Sequence, residues 1–212
     1  MLAWLFIAAL QCPAPPDPRL VGLWESENKS QGGIGHTLEL RSDGTFVEAV
    51  TVIVDMSYRV SGDRIFLGEE PTTGAGDKGS SFRFEGDTFV VELPGSPAVR
   101  KERIGQREPN QAPIVGMWRY RHYTGAVAFE RYTPEGRLHL RLPLSSSQGC
   151  YTLEGTRLTL APPGQKKVQV SLEWRGTDLA LTLPGQKAAI YRKDPAGPWY
   201  ERERIDLQPP NP

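Results

Sequence analysis

Leu20-Val21-Gly22-Leu23-Trp24 is followed, 94 residues on, by Ile114-Val115-Gly116-Met117-Trp118. The two stretches are the heads of one internal repeat. Gly44 of Ser42-Asp43-Gly44 aligns with Gly136 of Pro134-Glu135-Gly136, and Tyr58, Gly62 and Leu67 align with Tyr151, Gly155 and Leu160. Phe84 and Gly86 align with Trp174 and Gly176, and the turn Leu93-Pro94-Gly95 returns as Leu183-Pro184-Gly185. Several residue types matching in order, with only small drifts in offset, mark a duplicated supersecondary unit with loop insertions.

Within each copy, apolar and polar residues alternate between turn dipeptides such as Asp43-Gly44, Gly62-Asp63 and Gly86-Asp87. That is the pattern of half-buried antiparallel strands joined by hairpins. The first copy predicts strands over 22–27, 36–41, 45–51, 55–60, 64–68, 81–85, 88–93 and 98–104. The second predicts them over 116–122, 126–132, 137–142, 149–153, 157–161, 167–174, 178–183 and 188–193. Leu38 and Leu40 share one face and Glu39 and Arg41 the other. Phe82 and Phe84, then Phe89, Val91 and Leu93, make further apolar rows, matched in the second copy by Leu172, Trp174, Leu179, Leu181 and Leu183. One dry face on about eight short strands is hidden by closing a meander into a barrel, which also removes the sheet edges. The fold class is therefore all-β, and no segment carries a sustained helical period.

Gly-x-Trp on a first strand, a short up-and-down meander, Asp43-Gly44-Thr45-Phe46 and a basic residue on the last strand together resemble the lipocalin-like (calycin-type) small β-barrel domains of bacterial secreted proteins. The resemblance implies two tandem antiparallel up-and-down barrels, one over 20–105 and one over 114–193, joined by a linker at 106–113. It also implies that each tryptophan packs under a cation from its own last strand: Trp24 under Arg100 or Arg103, and Trp118 under Arg192. Gly22, Trp24, Arg100, Gly116, Trp118 and Arg192 are thus expected to be structural. An indole under a cation is worth roughly 0.5–2 kcal/mol beyond its buried area.

Charge excludes some partners. There are 25 Lys plus Arg against 25 Asp plus Glu, so nothing global attracts nucleic acid or an anionic membrane. The apolar opening Met1–Leu10 is too short to span a bilayer and reads as a signal segment over 1–12, with a Pro-rich linker over 13–19. Export to the periplasm or beyond is expected. Cys12, in a lipobox-like context, is the candidate for lipidation and membrane anchoring, and no Cys12–Cys150 bridge is expected. Residues 194–212, with Trp199 and Tyr200, form a tail.

Neither catalytic nor cofactor motifs are found: no Gly-x-Ser-x-Gly, no P-loop and no dinucleotide fingerprint. His36, His122 and His139 lack metal-ligand spacing among themselves or with Cys150. The candidate ligand contacts are the duplicated Tyr58 and Tyr151, with hydroxyls expected at a barrel mouth, and a basic, aromatic set of Arg119, Arg121, His122 and His139. Glutamates such as Glu130 and Glu135 are the alternative partners of those arginines. Two classes of function stay open: a non-enzymatic binder of a small apolar or amphipathic ligand or of an envelope protein, and a hydrolase or isomerase working in a barrel lumen. A third reading is a filled, spacer-like barrel pair that binds only other proteins.

Overall fold

The structure is a computed structural model, and it describes residues 12–13, 17–68, 79–92 and 95–194. Residues 1–11 of the expected signal segment, most of the Pro-rich linker and the tail beyond Asp194 lie outside those residues. Among the described residues fourteen strands are found: β1 Gly22–Ser26, β2 Ile34–Leu40, β3 Thr45–Ser61, β4 Arg64–Leu67, β5 Ser80–Glu85, β6 Thr88–Glu92 and β7 Val99–Ile104 in the first repeat. In the second come β8 Gly116–Arg121, β9 Val127–Tyr132, β10 Arg137–Glu154, β11 Arg157–Ala161, β12 Val168–Arg175, β13 Asp178–Thr182 and β14 Ala189–Lys193. Each strand pairs antiparallel with its chain neighbours, β1 pairs with β14 to close the ring, and β10 also pairs with β3. Among the described residues no helix is long and apolar enough to cross a membrane.

Two expected breaks are missing. The segments predicted over 45–51 and 55–60 form the single strand β3, and those over 137–142 and 149–153 form β10. In β3 the reason is local: Thr51-Val52-Ile53-Val54 is dominated by β-branched residues and offers no turn-forming residue, so the strand continues. β10 instead runs on through Pro143 and Gly149. At about 3.3 Å per residue the 17 residues of β3 extend over roughly 55 Å, far beyond one small-barrel strand.

Those long strands decide how the chain is divided. The described residues fall into two compact units. The first takes 12–30, Gly35–Val50 and 146–194, and so holds β1, β2, the start of β3, the end of β10, and β11 to β14. The second takes Gln31–Ile34 and Thr51–Ser145, with the end of β3, β4 to β9 and the start of β10. The units therefore do not coincide with the expected domains 20–105 and 114–193. Each is built from both repeats.

Each unit has its own core. In the first, Leu20, Trp24, Leu38, Leu40, Phe46, Tyr151, Leu158 and Leu179 pack together. In the second, Ile65, Phe89, Val91, Ile114, Val115, Trp118, Tyr132 and Leu138 do so, with Met56, Tyr58, Phe82 and Phe84 against them. Both indoles are buried, and each donates Nε1–H to the carbonyl four residues earlier: Trp24 to Leu20 and Trp118 to Ile114, both at 2.8 Å.

The cations over these rings are not the expected ones. Lys193 of β14 lies opposite Trp24, its Nζ 5.4 Å from the ring. Arg103 of β7 lies opposite Trp118, with Cζ 4.1 Å from the ring, and donates to the carbonyls of Val115 and Pro113. Each tryptophan is thus covered by the last strand of the other repeat. Arg100 faces outward onto Glu85 at 2.7 Å, and Arg192 faces outward onto Glu27 at 2.6 Å, so neither reaches an indole. Gly22 and Gly116 make room for the arrangement. They adopt φ of +143° and +133°, and a Cβ at either would run into the side chain of Lys193 or Arg103.

Cys12 and Cys150 are joined in a disulfide, contrary to expectation, across a sequence separation of 138. Cys12 and Pro13 rest on the Gly44 turn, next to Tyr151 of β10, and this brings the two sulfurs together. A sulfur in a disulfide cannot also carry a lipid thioether, so lipidation of Cys12 is excluded in this form, as is a Cys150 thiol nucleophile. Closing so long a loop restricts the unfolded chain, and losing the bridge is expected to cost on the order of 2–5 kcal/mol. Denaturant unfolding of Cys12→Ser/Cys150→Ser should show a lowered midpoint by that amount. Equal midpoints for the variant and the oxidised parent would disprove the bridge.

Candidate functional site

The residues with the most unusual surroundings lie in the core of the second unit. Alternation along β7 (Val99–Ile104) puts Lys101 on the same face as Arg103, the cation over Trp118. On β9 (Val127–Tyr132) it puts Glu130 beside the core residue Tyr132. On β8 (Gly116–Arg121) it puts Tyr120 beside Trp118. Lys101 and Glu130 are therefore turned inward, and both are buried.

Their chemistry is closed on itself. Lys101 Nζ donates to Glu130 Oε2 in a tight ion pair and to the Tyr132 hydroxyl at 3.2 Å. The Tyr132 hydroxyl donates to the same carboxylate oxygen at 2.7 Å. Three rings surround the ammonium: Phe89 and Tyr120 at 5.2 Å and Tyr132 at 5.6 Å. Burial, and then the Glu130 carboxylate, push the phenols of Tyr132 and Tyr120 well above their ordinary range. Both stay protonated through the physiological range, so they donate hydrogen bonds and do not act as bases.

The duplication supplies an internal comparison. Strand register makes Phe89 face Lys101 in the second unit and Leu179 face Tyr191 in the first. Trp118 faces Glu130 where Trp24 faces Leu38, and Gly116 faces Tyr132 where Gly22 faces Leu40. Tyr120 corresponds to Ser26, two residues beyond the tryptophan in each copy. The first unit thus builds its core with Tyr191, Leu38, Leu40 and Ser26 where the second has Lys101, Glu130, Tyr132 and Tyr120. The fold does not require the ion pair.

The residues expected to contact ligand are dispersed. The Tyr58 hydroxyl donates to Thr133 O at 2.8 Å and the Tyr151 hydroxyl to Arg41 O at 2.9 Å, while their amides donate to Gly136 O and Gly44 O. Each tyrosine ties its strand to the Gly-containing turn of the other repeat, so neither presents a free hydroxyl at a mouth. Arg119 makes a forked contact with Glu102 on the outer face, at 3.0 and 2.9 Å. Arg121 donates to Gly125 O at 3.0 Å, and His122 Nδ1 lies 2.9 Å from Thr124 Oγ1 in the β8–β9 turn.

His139 Nδ1 lies 2.8 Å from Asp55 Oδ1, which also accepts from Arg141 Nη1 at 2.8 Å. Arg141 is buried. Burial alone would raise the Asp55 carboxyl, but the Arg141 charge and the hydrogen bonds from Arg141 and His139 hold it below its ordinary value. Among the described residues no group of three or more His, Cys, Asp or Glu is placed to hold a metal ion.

Lys101 and Glu130 escaped the sequence reading as a site. The signal that could have found them was present: at the aligned position Leu38 of the first repeat, the second repeat carries a glutamate.

Removing one partner leaves a buried charge, at a cost of about 3–5 kcal/mol, whereas an apolar pair of similar volume restores most of it or more. Lys101→Met and Glu130→Leu should each lower the unfolding free energy by about that amount, and the double variant should recover to within about 1–2 kcal/mol of the parent. Strictly additive losses would show that the two charges do not meet.

A second expectation concerns alkali. Burial, followed by the charges of Asp43 and Glu48, pushes Tyr151 and Tyr191 up to about 12. A phenol with a folded pKa above the unfolded value of roughly 10 contributes stability that is complete below pH 10 and vanishes as pH rises through the folded value. Tyrosinate absorbance should therefore rise in two steps, the later one near pH 12 coinciding with loss of near-UV circular dichroism. A single step near pH 10 with the fold intact would count against this burial.

Compared with protein-family models, with curated proteins and with solved structures, the chain finds no match.

Proposed function

We propose that the chain is an exported, non-enzymatic, lipocalin-like protein of two eight-stranded barrels, the second of which takes up a small amphipathic molecule. The division of β3 and β10 between the two compact units supports the two-barrel reading, because it leaves eight strand segments in each. The observation that carries the ligand reading is the Lys101–Glu130–Tyr132 cluster, present in one unit and replaced by Tyr191, Leu38 and Leu40 in the other. A buried ion pair is costly, and a duplicate that folds without it points to a use other than folding. Phe82, Phe84, Phe89 and Trp118 pack in contact around this core, giving apolar walls beside a polar head site. A molecule with an apolar body and one hydrogen-bonding end fits that combination.

Export is supported by the Cys12–Cys150 bridge, since disulfides persist in oxidising compartments and are rare in reducing cytosol. One observation favours the spacer reading instead: Lys101, Glu130 and Tyr132 already satisfy one another.

Native mass spectrometry of the oxidised chain, compared with its denatured mass, separates the two. Ligand carriage predicts extra mass that is lost on denaturation, and that is absent from folded Lys101→Met/Glu130→Leu purified in parallel. A bare parent mass under gentle conditions would leave the spacer reading. Extra mass retained by the double variant would move the ligand away from this cluster.

A further inference from the structure

We infer that each repeat of this chain is the obligate folding partner of the other, and that the surface a single repeat exposes fits one occupant, a second repeat of the same kind. Four independent contacts exchange between the copies in the same way. Trp24 of the first repeat is covered by Lys193 of the second, and Trp118 of the second by Arg103 of the first. Tyr58 of the first donates its amide and hydroxyl to Gly136 and Thr133 of the second, and Tyr151 of the second donates to Gly44 and Arg41 of the first.

The strand partners follow suit: β1 pairs with β14, and β7 with β8. A contact set that is reciprocal residue for residue is what an isologous pair of identical subunits would make, with i touching j and j touching i. Here the two subunits are joined in one chain by residues 105–113. Residues 105–110 of that connection are exposed and lie outside any strand.

The device that enforces the exchange is the pair of long strands. A single repeat that folded back on itself would have to reverse direction within β3 or β10, and each runs through that point as one strand. β3 has no turn-forming residue at Thr51-Val52-Ile53-Val54, and β10 stays extended across Pro143 and Gly149. With the strand extended, its first part (residues 45–50) falls in one unit and the rest in the other, so one repeat alone leaves both of its strand segments without the neighbours that close their sheets. The partner that supplies them carries the same Gly-x-Trp strand, the same turn glycine and the same tyrosine.

The test uses the full chain with a protease site placed between Gly105 and Asn110. The chain is cut after folding, with the Cys12–Cys150 bridge then reduced so that no covalent link remains between the halves. The expected result is that the halves run together at the size of the uncut chain and unfold in a transition whose midpoint rises with protein concentration. Halves separated in denaturant should each lack near-UV tryptophan dichroism as monomers and regain it only on pairing, with the other half or with a second copy of themselves. A half that folds cooperatively as a monomer, cut halves that part as folded monomers, or a failure to recover the signal on mixing would each overturn the inference.

Discussion

Two strands that run on past the point where a small barrel would turn govern the molecule: β3, whose middle offers no turn residue, and β10, which stays extended through Pro143 and Gly149. β3 and β10 run for 17 and 18 residues, roughly three times the usual strand length. Each contributes to both compact units. Once those two strands are continuous, each repeat's Gly-x-Trp strand is separated from its own last strand and must be closed by that of the other copy. The cation over each indole, the carbonyl under each tyrosine hydroxyl and the strand beside each Gly-x-Trp follow from that choice. No local interaction in either repeat had to change to produce it.

That explains what sequence could and could not reveal. Strand positions were legible because alternation and turn glycines are local: fourteen strands lie within a few residues of where period-two patterning and Asp-Gly or Gly-Asp turns put them. The break expected in β3 fails because a continuous β-branched run and an interrupted one share the same alternation, and the one expected in β10 fails because the strand runs on through Pro143 and Gly149. Partner choice was illegible for a different reason. A tryptophan that needs a cation from a last strand is served equally by Arg103 or Lys193, and the shorter loop favours the partner in the same repeat. The resemblance placed Arg100 or Arg103 over Trp24 and Arg192 over Trp118; Arg100 and Arg192 are on the wrong face by one residue, and Arg103 covers the other tryptophan. A slip of one position moves a side chain from the core to the outer surface. The same parity rule, applied to Glu130 and Lys101, would have turned them inward.

The duplication then becomes useful as a built-in control. A lone buried Lys–Glu pair in a core is ambiguous between a specificity device for folding and a functional group. Here the same backbone positions occur twice in one molecule. The first unit fills them with Leu38, Leu40 and Tyr191 and packs Leu158, Leu172, Leu179 and Leu181 with Phe46 and Trp174. The second surrounds its ion pair with Phe82, Phe84 and Phe89. The two cores diverged in opposite chemical directions while keeping the Gly-x-Trp head and the tyrosine tie. Retained features belong to the fold; the divergent ones are where a difference in role between the units must reside.

The disulfide breaks the symmetry in a second place. Gly44 and Gly136 close equivalent turns with φ of +78° and +76°, and each turn accepts the amide of the opposing tyrosine. Only the Gly44 turn is crossed by Cys12 and Pro13, which lie so close that a Cβ at residue 44 would strike the Pro13 carbonyl. The bridge to Cys150 therefore clamps the leader of the first repeat to the long strand of the second, one residue before Tyr151. It sits where the exchanged contacts converge, on a turn from one copy and a strand from the other. A cross-link within one repeat would leave the other free to separate, whereas this one joins the two partners. Its position on a turn of one repeat and a strand of the other suits a chain whose halves have exchanged.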